Sequence, residues 1–143
     1  MTFKLDSSVT DKPVERLYLF YIQFKSGLHV VKIGKSSGKD SLDRMMQIQR
    51  DYYQKYRYTF ICKIKRDRVV DDVFKYEAEL HRFFKDYQYE AKIPFDGSTE
   101  CFVVNYEAAL DVFEYLLENG LGSLDGIEFN PDAYVVDEDE LPF

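Results

Sequence analysis

The sequence predicts a small α/β domain in which a short mixed sheet, opened by a β-hairpin, is flanked by three helices and followed by a flexible acidic C-terminal tail. Three observations predict it. Two runs rich in aromatic and branched residues are separated only by Lys25-Ser26-Gly27, three segments carry apolar residues at helical spacing, and 11 of the 26 acidic residues lie after residue 104. With 143 residues, 45% of them hydrophobic, the chain suffices for one ordinary domain and leaves little for a second.

Residues 1–15, with Pro13, read as a loose leader, residues 16–120 as the domain and residues 121–143 as the acidic tail. Arg16 to Phe24 is the first strand. Leu28 to Ile33 is the second, and Gly34 to Lys39 a loop. If Ser26-Gly27 forms a two-residue turn, Tyr21 pairs across the hairpin with Lys32 and Tyr18 with Lys35. From Asp40 to Tyr56, Leu42, Met45, Met46, Tyr53 and Tyr56 recur at helical spacing, with Asp40 or Ser41 as the cap. Tyr58 to Lys65 alternates like a half-buried strand, and Val70 to Tyr87 carries Val73, Tyr76, Leu80, Phe83, Phe84 and Tyr87 on one helical stripe. Glu100 to Val104 is a short last strand, and Asn105 caps a third helix ending near Gly120.

Composition excludes several classes. The longest apolar run, Leu17 to Ile22, has six residues against the roughly 20 that span a bilayer, and the chain opens without an apolar leader, so a soluble cytoplasmic protein with no membrane partner is expected. Cys62 and Cys101 lie 39 positions apart with no CxxC, which points to two buried thiols and to neither a disulfide framework nor a zinc site. The net charge of −7 conceals an asymmetry: residues 1–104 hold all 19 Lys and Arg against 15 acids, net +4, and the remainder is net −11. An acidic tail can occupy the basic face of its own body until a polyanion displaces it.

Lys32-Ile33-Gly34-Lys35-Ser36 at the end of the second strand, Arg44 on the first helix, Glu77-Ala78-Glu79-Leu80-His81 on the second and Glu100-Cys101-Phe102 opening the last strand form an ordered set. Over roughly residues 16–104 this set resembles the GIY-YIG nuclease superfamily, in particular its phage and viral branch whose second tripeptide reads KIG. The resemblance implies a metal-dependent phosphodiester endonuclease acting on DNA in a host cytoplasm, with Mg²⁺ or another divalent cation held at Glu77, and not at Glu79, which points elsewhere on the helix. It implies a Tyr that helps activate the nucleophile, and the residues leave Tyr18 and Tyr21 both open for that place. It also implies Arg44 on the scissile phosphate and Glu100 as the acid opening the last strand. Lys32 would hold its ammonium beside the phenol, where a close cation favours the ionised form and makes a phenolate more accessible near neutral pH. His81 lies one turn after Glu77 on the same helix face, placed to bind an ion or position a proton.

The departures are Arg16 for the first glycine, Lys32 for the second tyrosine, Cys101 for the more usual Trp and Ile48 four residues after Arg44. They keep open a rival of another class, a non-catalytic single-stranded DNA-binding protein on the same fold. Arg57, Lys63, Lys65, Arg66 and Arg68, interleaved with Tyr58, together with Lys35, are the candidate nucleic-acid contacts for either reading. The closing Asp139-Glu140-Leu141-Pro142-Phe143 is similar to the tail tip of bacterial single-stranded DNA-binding proteins. That likeness implies host replication and repair proteins as partners, with Phe143 as the buried anchor and the acids steering.

Overall fold

The computed structural model describes residues 14–132, so the tail tip from Asp139 to Phe143 lies outside the described residues. The order is β1 (Glu15–Gln23), β2 (His29–Ser37), α1 (Leu42–Tyr56), β3 (Ile61–Val69), α2 (Val73–Phe83), a 3₁₀ turn at Lys85–Tyr87, a second at Ser98–Glu100, β4 (Cys101–Phe102) and α3 (Tyr106–Asn119). The four strands form one sheet in the order β3-β1-β2-β4.

Every pair in that sheet is antiparallel, a correction to the expected mixed sheet. The reason is topological. The helical crossover from β2 brings β3 back beside β1 and not beside β2, so strands that run parallel, β2 with β3 and β1 with β4, are never neighbours.

The hairpin corrects a second expectation. Gly27 takes φ 95° and its N–H bonds the Phe24 carbonyl at 2.9 Å, while Phe24 N–H bonds Leu28 O at 2.9 Å. The turn therefore holds three residues, Lys25 to Gly27, with glycine at the left-handed position such a loop requires. The register follows: Tyr18 opposes Gly34, Phe20 opposes Lys32 and Tyr21 opposes Val31, one residue away from the expected pairing. β2 also runs on to Ser37 through the segment expected to be a loop, because β1 supplies partners for Lys35, Ser36 and Ser37.

Strand periodicity then sorts the core into two layers. Tyr18, Phe20, Ile22 and Val30 pack on one face against Ile48 and Tyr52 of α1, with Phe60 and Phe95. Leu17, Leu19, Val31 and Ile33 pack on the other against Leu80 and Phe84 and against Ala109, Val112, Phe113 and Leu116 of α3. Both faces of the hairpin are covered, which is why Leu17 to Phe20 are all fully buried although no two neighbours share a face. α3 begins as read from the sequence, with Asn105 Oδ1 accepting from Glu107 N–H at 2.8 Å and Ala108 N–H at 3.2 Å. α2 is shorter than expected, starting after Asp72, which sits at φ 56°.

Residues 121–132, assigned to the tail by their glycines and Pro131, belong to the domain instead. Leu124 is buried, the Phe129 ring lies against Phe83, Phe84 and Tyr87, and Glu79 accepts from Gly122 N–H at 2.8 Å and Leu124 N–H at 3.3 Å. Phe129→Ala should lower unfolding stability by about 1–2 kcal/mol, below the roughly 1.5–3 kcal/mol for a fully buried large apolar side chain because the ring is only partly buried, as read from a shifted urea midpoint.

Candidate functional site

β2 carries a lysine into the interior. Lys32 lies between Phe20 of β1 and Cys101 of β4 and is fully buried, a position no ammonium tolerates without partners. Its Nζ donates to Tyr18 Oη at 2.7 Å and to Glu100 Oε1 at 2.6 Å. Two glycines make the room. A Cβ on Gly34 would strike the Tyr18 hydroxyl, and one on Gly97, at φ 83°, would strike the Lys32 stem. Burial acts to lower the Lys32 pKa, but Tyr18 and Glu100 outweigh it and the net shift is upward, so Lys32 stays an ammonium.

Tyr18 and Tyr21 alternate along β1 and so face opposite sides of the sheet. Tyr18 meets Lys32 and lies within the field of Arg44, whereas the Tyr21 hydroxyl meets His29 Nδ1 at 2.6 Å and its ring edges onto Tyr106. Geometry thus brings Tyr18 to the lysine and takes Tyr21 away. The expected easy phenolate is corrected, however: burial raises the Tyr18 pKa, and the opposing pull of Lys32 and then Arg44 does not cancel it. Tyr18 is a neutral phenol at pH 7. Because it accepts from Lys32, its own proton is free to be donated.

Arg44, in the first turn of α1, lies half-buried and pairs with Asp96 through Nη1 to Oδ2 at 2.7 Å and Nη2 to Oδ1 at 3.3 Å. Asp96 is held in turn, its N–H donating to Asp51 Oδ2 at 2.6 Å, while Tyr56 Oη donates to Ile93 O at 2.9 Å and accepts from Ile93 N–H at 3.0 Å. The loop opposite Arg44 is therefore fastened to α1 along three of its turns.

Glu77 and His81 of α2 reach Glu100 from the other face, and one ligand atom from each of the three lies within 4.8 Å of the others. His81 Nε2 donates to the Ile33 carbonyl at 2.6 Å, since a carbonyl can only accept. That bond fixes the tautomer and leaves Nδ1 as the acceptor, the arrangement in which imidazole serves as a ligand. Burial, then Glu100, pushes the Glu77 pKa up, opposed by His81 and by Lys35 and Lys32. Two carboxylates and one imidazole, one acid already disfavoured as an anion, form a donor set that fits a divalent cation. Glu79 faces away onto the 122–124 backbone, as its position in the helix predicts.

The candidate nucleic-acid residues do not form one surface. β3 is the sheet edge opposite β4, so Lys63, Lys65, Arg66 and Arg68 stand across the molecule's width from Glu100. Arg66 Nε and Arg68 Nη1 both donate to Glu114 of α3, at 2.7 and 2.8 Å. Lys65 Nζ sits 4.6 Å over the Tyr106 ring, and Lys63 is exposed. Arg57, in the left-handed conformation at φ 65°, and Tyr58 lie at the far end of α1, and Lys35 stands exposed on the segment of β2 beside Glu77. Burial raises the Cys62 and Cys101 thiols to about 12, as inert core groups.

Sequence reasoning missed Asp96 and Gly97. Their signal was only a polar turn after Pro94, and the partners they serve lie 52 and 65 positions away.

Gly34→Ala should cost about 1–3 kcal/mol by overpacking a filled interior, visible in the urea midpoint and in displaced Tyr18 ring resonances. The Tyr18 Cζ resonance should stay in its phenol form beyond the usual pKa of about 10. The unfolded chain releases that proton near pH 10 and the folded one does not, so this contribution to stability is complete below pH 10 and lost as pH rises through the folded value.

The T5orf172 domain matches residues 15–117, from the first residue of β1 into the last turns of α3. No curated protein and no solved structure matches the chain. The match spans the whole sheet and every residue that meets around Lys32, and the chain therefore belongs to the T5orf172 domain family.

Proposed function

We propose that this protein processes DNA as a metal-dependent phosphodiester endonuclease of the GIY-YIG-like kind, a class of phage nuclease with which T5orf172 domains are associated. One observation carries the reading. Glu100 joins two constellations from opposite faces of the sheet, the Tyr18–Lys32 pair with Arg44 beside it and the Glu77–His81 pair.

The residues divide the work. Arg44 exchanges Asp96 for a phosphate, presenting the same fork to another pair of oxygens. Tyr18, neutral and held by Lys32, donates its hydroxyl proton toward a phosphate oxygen or orients the attacking water. Glu77, His81 and Glu100 would hold a divalent cation such as Mg²⁺, which supplies Lewis-acid stabilisation of charge developing on the phosphate. Lys35 adds a cation at the open edge of β2.

The Arg44–Asp96 ion pair and the neutral Tyr18 favour a second reading, a non-catalytic single-stranded DNA-binding protein on the same fold. Under either reading the C-terminal tip, through Phe143, recruits host replication and repair proteins. Recovery of the same partners from host extract by wild type and by Phe143→Ala would show that tip to be without this role.

Incubation of labelled single- and double-stranded DNA with Mg²⁺ or with chelator, scored for both shift and cleavage, separates the readings. Cleavage should require the cation and vanish in Glu77→Ala while binding survives; no cutting by wild type with any divalent ion leaves the binding reading alone. Arg44→Ala should lower turnover about 10²- to 10³-fold, as loss of one charge-stabilising donor does elsewhere. Asp96→Asn should instead tighten DNA binding, because the competing carboxylate is gone.

A further inference from the structure

The end of α1 away from Arg44 forms a second concave site. A cavity of about 370 Å³ opens there, floored by Phe24 and the buried Tyr52 and walled by Tyr56, Tyr58 and Tyr89. Its volume falls within the ~300–1,000 Å³ typical of small-molecule sites. The floor is core: Phe24 stacks on Tyr89 at 5.1 Å and tilts against Tyr52 at 5.7 Å. The walls are not used up by packing. Tyr58 is 38% exposed and Tyr89 and Tyr56 are half-buried, Tyr56 stacking one ring face on Tyr52 at 4.3 Å and holding Ile93 through its hydroxyl.

Charge at the mouth selects the occupant. The Lys25 ammonium already sits 4.9 Å over the Tyr58 ring, and Lys92 lines the opening with Glu90. Two ammonium groups disfavour a cationic guest, while a flat neutral ring with an anionic group on either side meets aromatic faces within and ammonium groups outside. Glu90 can accept from an exocyclic amine. From Arg44 to Tyr52 and Tyr56 the helix rises about 12 and 18 Å at 1.5 Å per residue, a span of roughly four or five nucleotides at a stacked rise of about 3.4 Å, fewer if the strand is stretched.

We propose that this tyrosine-walled pocket receives an unpaired base of the bound DNA strand, a few nucleotides from the phosphate held at Arg44. The inference rests on the DNA-processing reading above and adds to it a preference for substrates with a single-stranded segment at a fixed distance from the scissile phosphate.

The test uses the full chain, single-stranded oligonucleotides carrying one abasic residue at successive positions, and the variants Tyr58→Ala and Tyr58→Phe. Wild type should lose affinity about 5- to 150-fold at one abasic position, the equivalent of 1–3 kcal/mol for one base–aromatic stack. Tyr58→Ala should show the same loss on the intact strand and no further loss at that position. Tyr58→Phe should behave as wild type, and a fully paired duplex should bind all three proteins alike. A flat abasic scan, or Tyr58→Ala binding the intact strand as wild type does, overturns the pocket assignment; cation-dependent cleavage that Glu77→Ala abolishes would then leave the nuclease reading standing. Wild type that binds no DNA overturns both. A nucleoside monophosphate that fills the pocket while the strand stays bound overturns the assignment to a strand base.

Discussion

An ammonium fully enclosed between two strands is the constraint on which the rest of this structure depends. Lys32 cannot leave its position without turning β2 over, and it cannot stay there unbalanced, so the interior is arranged around it. Tyr18 and Glu100 accept its hydrogen bonds, Gly34 admits the Tyr18 hydroxyl and Gly97 admits the lysine stem. Glu100, drawn inward by this demand, arrives within reach of Glu77 and His81. The charge balance of one buried side chain thus assembles carboxylates and imidazole from opposite sides of the sheet, and removing either partner would strand a charge in a medium of low dielectric.

The hairpin turn decides which tyrosine takes part. A two-residue turn would set Tyr18 against Lys35 and Tyr21 against Lys32, on the face packed by α2 and α3. The three-residue turn, held by Gly27 at positive φ, moves every pairing by one and places Lys32 on the face of Tyr18 and Phe20. The choice of phenol is therefore made at the hairpin turn, nine residues along the chain from Tyr18 to Gly27.

What the sequence disclosed follows from how local each signal is. The stripe of α2, the Asn105 cap and the burial of Cys101 depend on near neighbours and on composition, and they are found where expected, whereas Cys62, on the edge strand β3, is only partly buried. The extension of β2 was illegible because glycine and serines are poor strand formers, and only pairing with β1 holds them extended. Residues 121–132 read as broken chain because their glycines are conspicuous, whereas the anchoring of Leu124 and Phe129 depends on α2, some forty residues back along the chain. Within the site, a resemblance could nominate Arg44, Glu77 and Glu100, but the acids that neutralise Arg44, Arg66 and Arg68 come from more than forty positions away and leave no local trace.

Those pairings change the meaning of the basic body. A net +4 over residues 1–104 is not a free positive face when Arg16 meets Asp67, Arg44 meets Asp96, and Arg66 and Arg68 share Glu114. The pairs differ in how readily they open. Arg44 and Asp96 have side chains 26% and 46% exposed, and ion pairs so solvated are worth at most about 1 kcal/mol, so a phosphate can replace the carboxylate at little cost. Lys32, fully enclosed, has no such freedom, since its exchange would require reopening the sheet. One cation in the site is therefore fixed and positions the phenol and the acid, while the other, in a solvated pair, is exchangeable. This division of roles follows from burial alone, before any chemistry is assigned.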